Sequence, residues 1–268
     1  MANIGLVAGA GKLPELFAGL ARKKGDKVVG IGLKGVTDSE FEKHVDKLVW
    51  VDLGAVQKTI FSIVADRINK IVLLGKLKKD LFFRGDVALD RDTELMLGKL
   101  NNDRKDYSLL NEAAKFLGKF GIEIMDPAPY MKDFIPDKGV LTKRDLTDGE
   151  REDMNYACQV AKDMARFDIG QTVAVKQKTV IAIESVEGTD ATIARAGNFS
   201  RKGFVVAKAA RPDQDMRFDV PLVGLETVEA LAAAGGTALA LESGKTFLID
   251  RAAVVSFADS RNLAIVIV

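Results

Sequence analysis

Several short stretches of the chain combine glycines with charged side chains in a way that suits phosphate binding. Gly9 and Gly11 separate an apolar run from a helical pattern, and glycines at such a turn let backbone N–H groups approach an anion. Lys76 follows a buried-type strand, at the end where open α/β sheets bind their ligands. A plain tight turn at Gly9 and a solvated surface lysine at position 76 explain the same residues, so the sequence leaves both alternatives open.

The second half of the chain is richer in such residues. The segment from Glu184 to Asp190 ends a strand and enters a helix, and its glycine, threonine and acids can face an oxyanion or a divalent cation. Lys208 ends another strand, and strand-like alternation would place Arg217 and Asp219 on one side. An ordinary helix cap and a local salt bridge are the alternatives for these two regions.

Composition excludes several classes of chemistry. The chain has 268 residues with one histidine, His44, and one cysteine, Cys158, which rules out an intrachain disulfide and argues against a Ser-His-Asp triad or a histidine metal site. Pro14 replaces the third glycine of a dinucleotide fingerprint, which argues against a nicotinamide dehydrogenase. Because 39 basic and 38 acidic residues leave a net charge of +1, nothing indicates a nucleic-acid partner. The lysines, arginines and acids singled out above suit phosphate chemistry assisted by a divalent metal, since the cations can bind the anion and the acids can bind metal and activate water.

The elements that must position these residues fall into two groups. Strands predicted at 3–8, 27–33, 47–51 and 70–74 alternate with helices near 14–24, 55–67 and 108–120, a pattern typical of a parallel α/β sheet. After Asp126-Pro127-Ala128-Pro129 the pattern becomes mixed, with a helix at 150–165, a hairpin at 172–184 and short strands to the end. The sequence therefore predicts an α/β protein with an N-terminal domain at 1–131, a linker at 132–149 and a C-terminal mixed α/β domain at 150–268.

Four segments in order resemble the LpxI-type UDP-2,3-diacylglucosamine hydrolases. They span nearly the whole chain and comprise Gly5-Leu6-Val7-Ala8-Gly9-Ala10-Gly11-Lys12-Leu13-Pro14, Arg166-Phe167-Asp168-Ile169-Gly170-Gln171, Glu184 to Asp190, and Arg217-Phe218-Asp219-Val220-Pro221-Leu222-Val223-Gly224. The resemblance implies a Rossmann-like N-terminal domain, which would be an open parallel sheet, followed by a C-terminal domain of a distinctive fold. It also implies magnesium-dependent hydrolysis of the substrate pyrophosphate to UMP and 2,3-diacylglucosamine 1-phosphate (lipid X), a step of lipid A biosynthesis.

The resemblance also implies roles for individual residues. Asp219 matches the family's essential aspartate and would bind metal or activate water, with Asp190 as a second metal ligand. The expected substrate-binding residues are Gly9, Gly11, Lys76, Asp106, Gln171, Thr189, Lys208 and Arg217. The family often has paired acids before the helix near 108–120, and here only Asp106 matches.

The sequence and the implied substrate together suggest where the protein works and what it contacts. We expect a cytoplasmic protein that contacts the inner membrane surface transiently, takes a lipid nucleotide as its substrate and forms a homodimer. Two other functions remain open from sequence: a different nucleotide-sugar phosphohydrolase, and a protein that binds a phospholipid or nucleotide without turnover.

Overall fold

The computed structural model describes residues 2–77, 88–99, 106–212, 214–218 and 220–268. Contacts divide the chain into two units, Met1–Met131 with Asp215–Asp219, and Lys132–Gln214 with Val220–Val268. Among the described residues, no helix has both the length and the apolar character needed to cross a bilayer.

The first unit is built on a five-stranded parallel sheet. Its strands are β1 (Asn3–Ala8), β2 (Lys27–Leu33), β3 (Lys47–Val51), β4 (Lys70–Leu74) and β5 (Glu123–Ile124), in the order β3-β2-β1-β4-β5. Its described helices are α1 (Leu13–Lys23), α2 (Val56–Ala65), α3 (Arg91–Gly98) and α4 (Asp106–Gly118), with a short 3₁₀ helix at Ser39–His44. This order confirms the predicted Rossmann-like open sheet.

The helices of the first unit bury apolar side chains against the sheet. Pro14 lies in the first turn of α1, where its missing N–H costs nothing, and the helix buries Phe17, Ala18 and Ala21. A second apolar cluster joins side chains of the sheet, α2 and α4, namely Ile31, Val51, Ile60, Ile63, Ile68, Ile71, Leu117, Ile122, Ile124 and, from the distant segment 215–219, Phe218. That last contact explains why five residues from the second half of the chain belong to this unit.

The second unit is a six-stranded mixed sheet covered by helices on both faces. Its strands are β6 (Gly139–Val140), β7 (Thr172–Lys176), β8 (Thr179–Ile183), β9 (Phe204–Lys208), β11 (Gly236–Leu241) and β13 (Ala264–Ile267), in the order β6-β13-β11-β9-β7-β8. Strands β9, β11 and β13 are parallel, whereas β6, β7 and β8 pair antiparallel to their neighbours. A separate parallel pair joins β10 (Leu222–Val223) to β12 (Phe247–Leu248). The predicted mixed α/β domain is thus confirmed.

Successive side chains of each strand point to opposite faces of the sheet, and each face packs against different helices. Val205 and Ala207 of β9 pack in one cluster with α5 (Asp148–Arg166). Phe204 and Val206 pack in another cluster on the opposite face. That opposite face is covered by α6 (Thr189–Ser200), α7 (Leu225–Ala233) and α8 (Arg251–Ser260).

Residues 132–149, expected as a linker, contribute structure to the second unit. They contain β6 and the start of α5, and Leu141 and Leu146 pack against its two apolar clusters. The N–H of Ile265 donates to Oγ1 of Thr142 at 3.0 Å. The division by contacts therefore puts this stretch inside the unit and assigns Asp215–Asp219 to the other one.

Candidate functional site

In the parallel sheet of the first unit, the order in which strands are added reverses between β1 and β4. The chain runs outward from β1 through β2 to β3, then returns to add β4 and β5 on the other side. In open α/β sheets the crevice at this point, beyond the carboxyl ends of the strands, is the usual ligand site.

Two glycine turns meet at this crevice. A Cβ built on Gly9 would lie 2.8 Å from the carbonyl carbon of Gly75, and one built on Gly75 would lie 2.7 Å from that of Gly9. Backbone hydrogen bonds pair Ala10 with Lys76 in both directions, at 2.9 and 2.8 Å. Glycine at these two positions is therefore required by the contact between the two turns.

The structure brings the predicted residues Gly9 and Lys76 together through the backbone. Lys76 is exposed, and Gly11 is exposed with a left-handed φ of 94° just before α1. Thr37, which sequence reasoning missed, closes the same edge, because its hydroxyl donates to the carbonyl of Ala8 and accepts from the N–H of Leu33 at 2.8 Å. The N–H groups of Gly9, Ala10 and Lys76 donate to backbone carbonyls. The exposed ammonium of Lys76 and the N-terminal end of α1, which follows Gly11, therefore supply the positive charge that suits an anionic group.

The second unit holds a denser polar group, which we call the Lys208 cluster: Gln171, Thr172, Glu184, Thr189 and Lys208. Lys208 ends β9 directly opposite Thr172, the first residue of β7. Its ammonium donates to Oγ1 of Thr189 at 2.7 Å, and that hydroxyl donates to Oε1 of Glu184 at 3.0 Å. The hydroxyl of Thr172 lies 3.4 Å from that of Thr189.

Backbone contacts hold the cluster in place. The N–H of Glu184 donates to the carbonyl of Thr172 at 2.8 Å, and the N–H of Gln171 donates to Oε2 of Glu184 at 3.4 Å. A Cβ built on Gly170 would lie only 2.0 Å from the carbonyl oxygen of Glu184, so a larger residue there would displace the strand. Gln171, Thr189 and Lys208, predicted separately, are thus gathered around Glu184.

An ion pair between a buried arginine and a half-buried aspartate lies beyond the ends of β7 and β9. Arg211 is 8% exposed, and its Nη1 lies 2.9 Å from Oδ1 of Asp168, whose φ of 57° is left-handed. Nearby, the N–H of Ala210 donates to Oε2 of Glu242 at 2.8 Å. Sequence reasoning assigned no role to Arg211 or Glu242. Their only signal was a position at or near the end of a predicted strand.

The remaining predicted residues have other surroundings. Oδ1 of Asp190 accepts from the hydroxyl of Thr227 at 3.0 Å. Arg217 belongs to the first unit and binds Asp215 through Nε and Nη2, at 2.9 and 2.5 Å. The hydrogen bond from Arg217 lowers the pKa of Asp215. The structure thus shows a local salt bridge between Arg217 and Asp215, whereas the pairing of Arg217 with Asp219 that the sequence suggested lies outside the described residues.

Two predicted acids fall where the structure describes little or nothing. Asp219 lies outside the described residues, and Asp106 begins α4 but its side chain is not among the described ones. Within the described part of the chain, no three His, Cys, Asp or Glu side chains come together as a metal site.

Comparison with known proteins decides the family. A sequence model of the LpxI N-terminal domain matches residues 3–134, and one of the LpxI C-terminal domain matches residues 137–266. The chain belongs to the LpxI family. Its relatives include the UDP-2,3-diacylglucosamine pyrophosphatase LpxI of Caulobacter vibrioides, which is 28% identical to this LpxI family member over 272 residues, covering 98% of this chain and 96% of the relative.

Two solved structures resemble this LpxI family member weakly. A UDP-glucose-4-epimerase from Stenotrophomonas maltophila is 12% identical, covers 46% of this chain and 35% of its own, and has a TM-score of 0.31. The biotin carboxylase subunit of a pyruvate carboxylase is 16% identical, covers 65% of this chain and 35% of its own, and has a TM-score of 0.28. Scores this low support no inference about the site.

Proposed function

We propose that this LpxI family member hydrolyses the pyrophosphate bond of UDP-2,3-diacylglucosamine. The products would be UMP and 2,3-diacylglucosamine 1-phosphate, in a step of lipid A biosynthesis. The observation that carries the proposal is the match of both LpxI domains, over residues 3–134 and 137–266, together with the activity in the name of a relative aligned along 98% of the chain.

The Lys208 cluster is the part of the second unit that we propose for the pyrophosphate. An ammonium has three N–H groups, and Lys208 donates one of them to the hydroxyl of Thr189. The others can bind phosphate oxygens, and positive charge held against the transferring phosphoryl group stabilises the charge of the transition state. Gly9, Gly11 and Lys76 in the first unit, with Asp106 and Arg217, are proposed as further substrate contacts.

Asp219 is proposed as the catalytic residue, either activating water or binding metal. Magnesium prefers oxygen ligands and is commonly held by one or two carboxylates together with substrate phosphates. Asp190 and Asp219 are the carboxylates that we propose for it, and Oδ1 of Asp190 already accepts one hydrogen bond from Thr227. When bound, the ion would draw electron density from the phosphoryl oxygens and so favour attack of water on phosphorus.

UMP release from UDP-2,3-diacylglucosamine tests the proposal. With magnesium, the wild-type chain should turn over, and Asp219→Ala should be slower by about 10²- to 10⁴-fold, the usual contribution of a positioned acid or base. Asp66→Ala is the control, because Asp66 binds Lys47 at 2.6 Å on the surface of the first unit.

The outcomes separate the alternatives. Equal turnover by wild type and Asp219→Ala would move the catalytic role to another residue. Activity unchanged by EDTA would remove magnesium from the proposal. If the wild type releases no UMP with or without magnesium, the proposed hydrolysis of UDP-2,3-diacylglucosamine is wrong. A screen of nucleotide sugars and a ligand-binding assay then decide between a different phosphohydrolase and a binding protein without turnover.

The lipid substrate also leads us to propose a place of action. Each acyl CH₂ exposed to water costs about 0.8 kcal/mol, so the substrate stays in a lipid phase until it is sheltered. We propose a cytoplasmic enzyme that meets its substrate at the inner membrane surface, which predicts a rate that depends on micelle concentration in detergent. The homodimer stays a prediction, which measurement of the oligomeric state by analytical ultracentrifugation tests.

A further inference from the structure

Glu184 is the carboxylate at the centre of the Lys208 cluster, and the proposed reaction gives it no role. We infer that Glu184 is a positioning residue, which acts through the hydroxyl of Thr189 to orient the Lys208 ammonium toward the substrate pyrophosphate. The inference rests on the proposed function of this cluster and deepens it.

The direction of the two hydrogen bonds follows from the chemistry of the three groups. An ammonium can only donate and an ionised carboxylate can only accept. The Thr189 oxygen therefore accepts from Lys208 at 2.7 Å, while its single proton goes to Oε1 of Glu184 at 3.0 Å. Thr172, 3.4 Å away, must then act as the donor in its contact with Thr189.

This arrangement changes what Thr189 does. Its proton is committed to Glu184, so the hydroxyl serves as a connection between two charged groups and has no proton left to donate to a phosphate. Lys208 keeps the N–H groups that Thr189 does not use. The lysine is thus the member of the chain of hydrogen bonds that can bind an anion.

Glu184 is itself held firmly enough to act as an anchor. Its backbone pairs with Thr172 at 2.8 Å, its Oε2 accepts from Gln171 at 3.4 Å, and Gly170 lies against its carbonyl. A lysine side chain has many rotamers and loses that freedom when it binds. Fixing the ammonium during folding removes part of this cost from the binding step.

Substitutions separate the hydrogen bond from the charge. Lys208→Met should lower kcat/KM by roughly tenfold to a hundredfold, as expected for a lost charge-assisted hydrogen bond. Glu184→Ala and Thr189→Val should give about a tenfold loss with the same division between KM and kcat as Lys208→Met. Glu184→Gln and Thr189→Ser keep the acceptor and the hydroxyl, so both should recover most of the activity.

The double variant Glu184→Ala/Lys208→Met decides whether Glu184 acts through the lysine. If it does, the double variant is no slower than Lys208→Met alone. Multiplied losses would overturn the inference. Glu187→Ala is the matched control, because Glu187 lies on the same loop but binds Arg195 at 2.5 Å. A loss for Glu187→Ala equal to that for Glu184→Ala would show that the loop, and no particular carboxylate, matters.

The inference can fail separately from the proposed function. Inorganic pyrophosphate is the probe, and its affinity for the same variants is measured by titration calorimetry. Weaker binding by Glu184→Ala and Lys208→Met, with no added loss in the double variant, would support the inference even if the wild type releases no UMP. Unchanged pyrophosphate binding by Glu184→Ala, or no binding by the wild type, would overturn it.

Discussion

Arg144 and Glu150 form the best-defined ion pair at the start of the second unit. Nη1 and Nη2 of Arg144 donate to the two carboxylate oxygens at 2.7 and 3.1 Å, and the N–H of Thr147 adds a third hydrogen bond at 2.9 Å. Burial of Glu150 opposes its ionisation, but these hydrogen bonds outweigh it and lower its pKa to about 2 from 4.5. The carboxylate therefore stabilises the folded state whenever it is ionised.

This pair predicts a pH-dependent loss of stability. Because the folded pKa of Glu150 is depressed, its contribution is complete above pH 4.5 and is lost as the pH falls toward 2. Glu150→Gln should lower the free energy of unfolding by about 1–2 kcal/mol at pH 7, after allowance for solvent screening. Urea unfolding followed by circular dichroism at pH 7 and pH 3 measures this difference.

The difference in the free energy of unfolding should narrow at pH 3, because the Glu150 carboxyl of the unfolded chain, with its ordinary pKa of 4.5, is then largely protonated. Glu152→Gln is the control, because Glu152 binds Lys178 on the exposed surface of the same helix and should change stability little. A loss for Glu150→Gln that stays equal at both pH values would assign the effect to packing.

At the scale of elements, Asp90 caps two helices at once. It precedes α3, where Oδ1 accepts from the N–H of Thr93 at 2.8 Å, and its Oδ2 accepts from the N–H of Gln57 in the first turn of α2 at 2.8 Å. Burial opposes ionisation of Asp90, but the hydrogen bonds from Thr93 and Gln57 prevail and its pKa is lowered. One carboxylate thus satisfies donors that two helix ends leave open.

Removing this carboxylate should destabilise the first unit. Asp90→Ala should cost about 1–3 kcal/mol, since a single cap is usually worth about 1 kcal/mol. Trp50 is the chain's one tryptophan and lies in β3, so its fluorescence during urea unfolding reports this unit. Asp90→Asn keeps one acceptor, so its free energy of unfolding should lie between those of the wild type and Asp90→Ala. A loss of stability for Asp92→Ala as large as that for Asp90→Ala would contradict the double cap.

Sequence patterns predicted the elements that have strong periodicity. The strands expected at 3–8, 27–33, 47–51 and 70–74 have these bounds in the structure, because apolar runs between polar turns indicate buried strands. Helix α8 (Arg251–Ser260) was missed, since it begins after Asp250 in a left-handed conformation without a capping side chain, and small residues weaken its pattern. Strand β6 has two residues, too few for any periodic signal.

The candidate site was predictable only in part for a related reason. The position of Lys208 at a strand end pointed to ligand binding, but its contact with Thr189 depends on how β9, β8 and α6 assemble. Glu184 belonged to the segment singled out from sequence, yet nothing local distinguished it from Glu187. Only the distances between elements in the folded chain show that Glu184, and not Glu187, contacts Thr189. Residue spacing along the sequence does not give those distances.

At the scale of the whole molecule, the segment Asp215–Asp219 contributes to a unit remote from it in sequence. Phe218 is 2% exposed and packs with the apolar residues that join the first unit's sheet to α2 and α4. The guanidinium of Arg217 lies 4.9 Å from the ring centroid of Phe218 and is paired with Asp215. The core of the first unit is therefore completed by a side chain more than eighty residues beyond its last strand.

This arrangement predicts that Phe218→Ala destabilises the first unit from outside its own sequence. Truncating a buried phenylalanine costs about 3–5 kcal/mol, so the Trp50 fluorescence transition should shift to lower urea. Phe199→Ala is the matched control, because Phe199 is 70% exposed in the second unit and should leave that transition in place. Equal midpoints for the two variants would show that Phe218 adds nothing to this core. Since Asp219 directly follows Phe218, Phe218→Ala should also lower UMP release in the absence of urea, whereas Phe199→Ala should not.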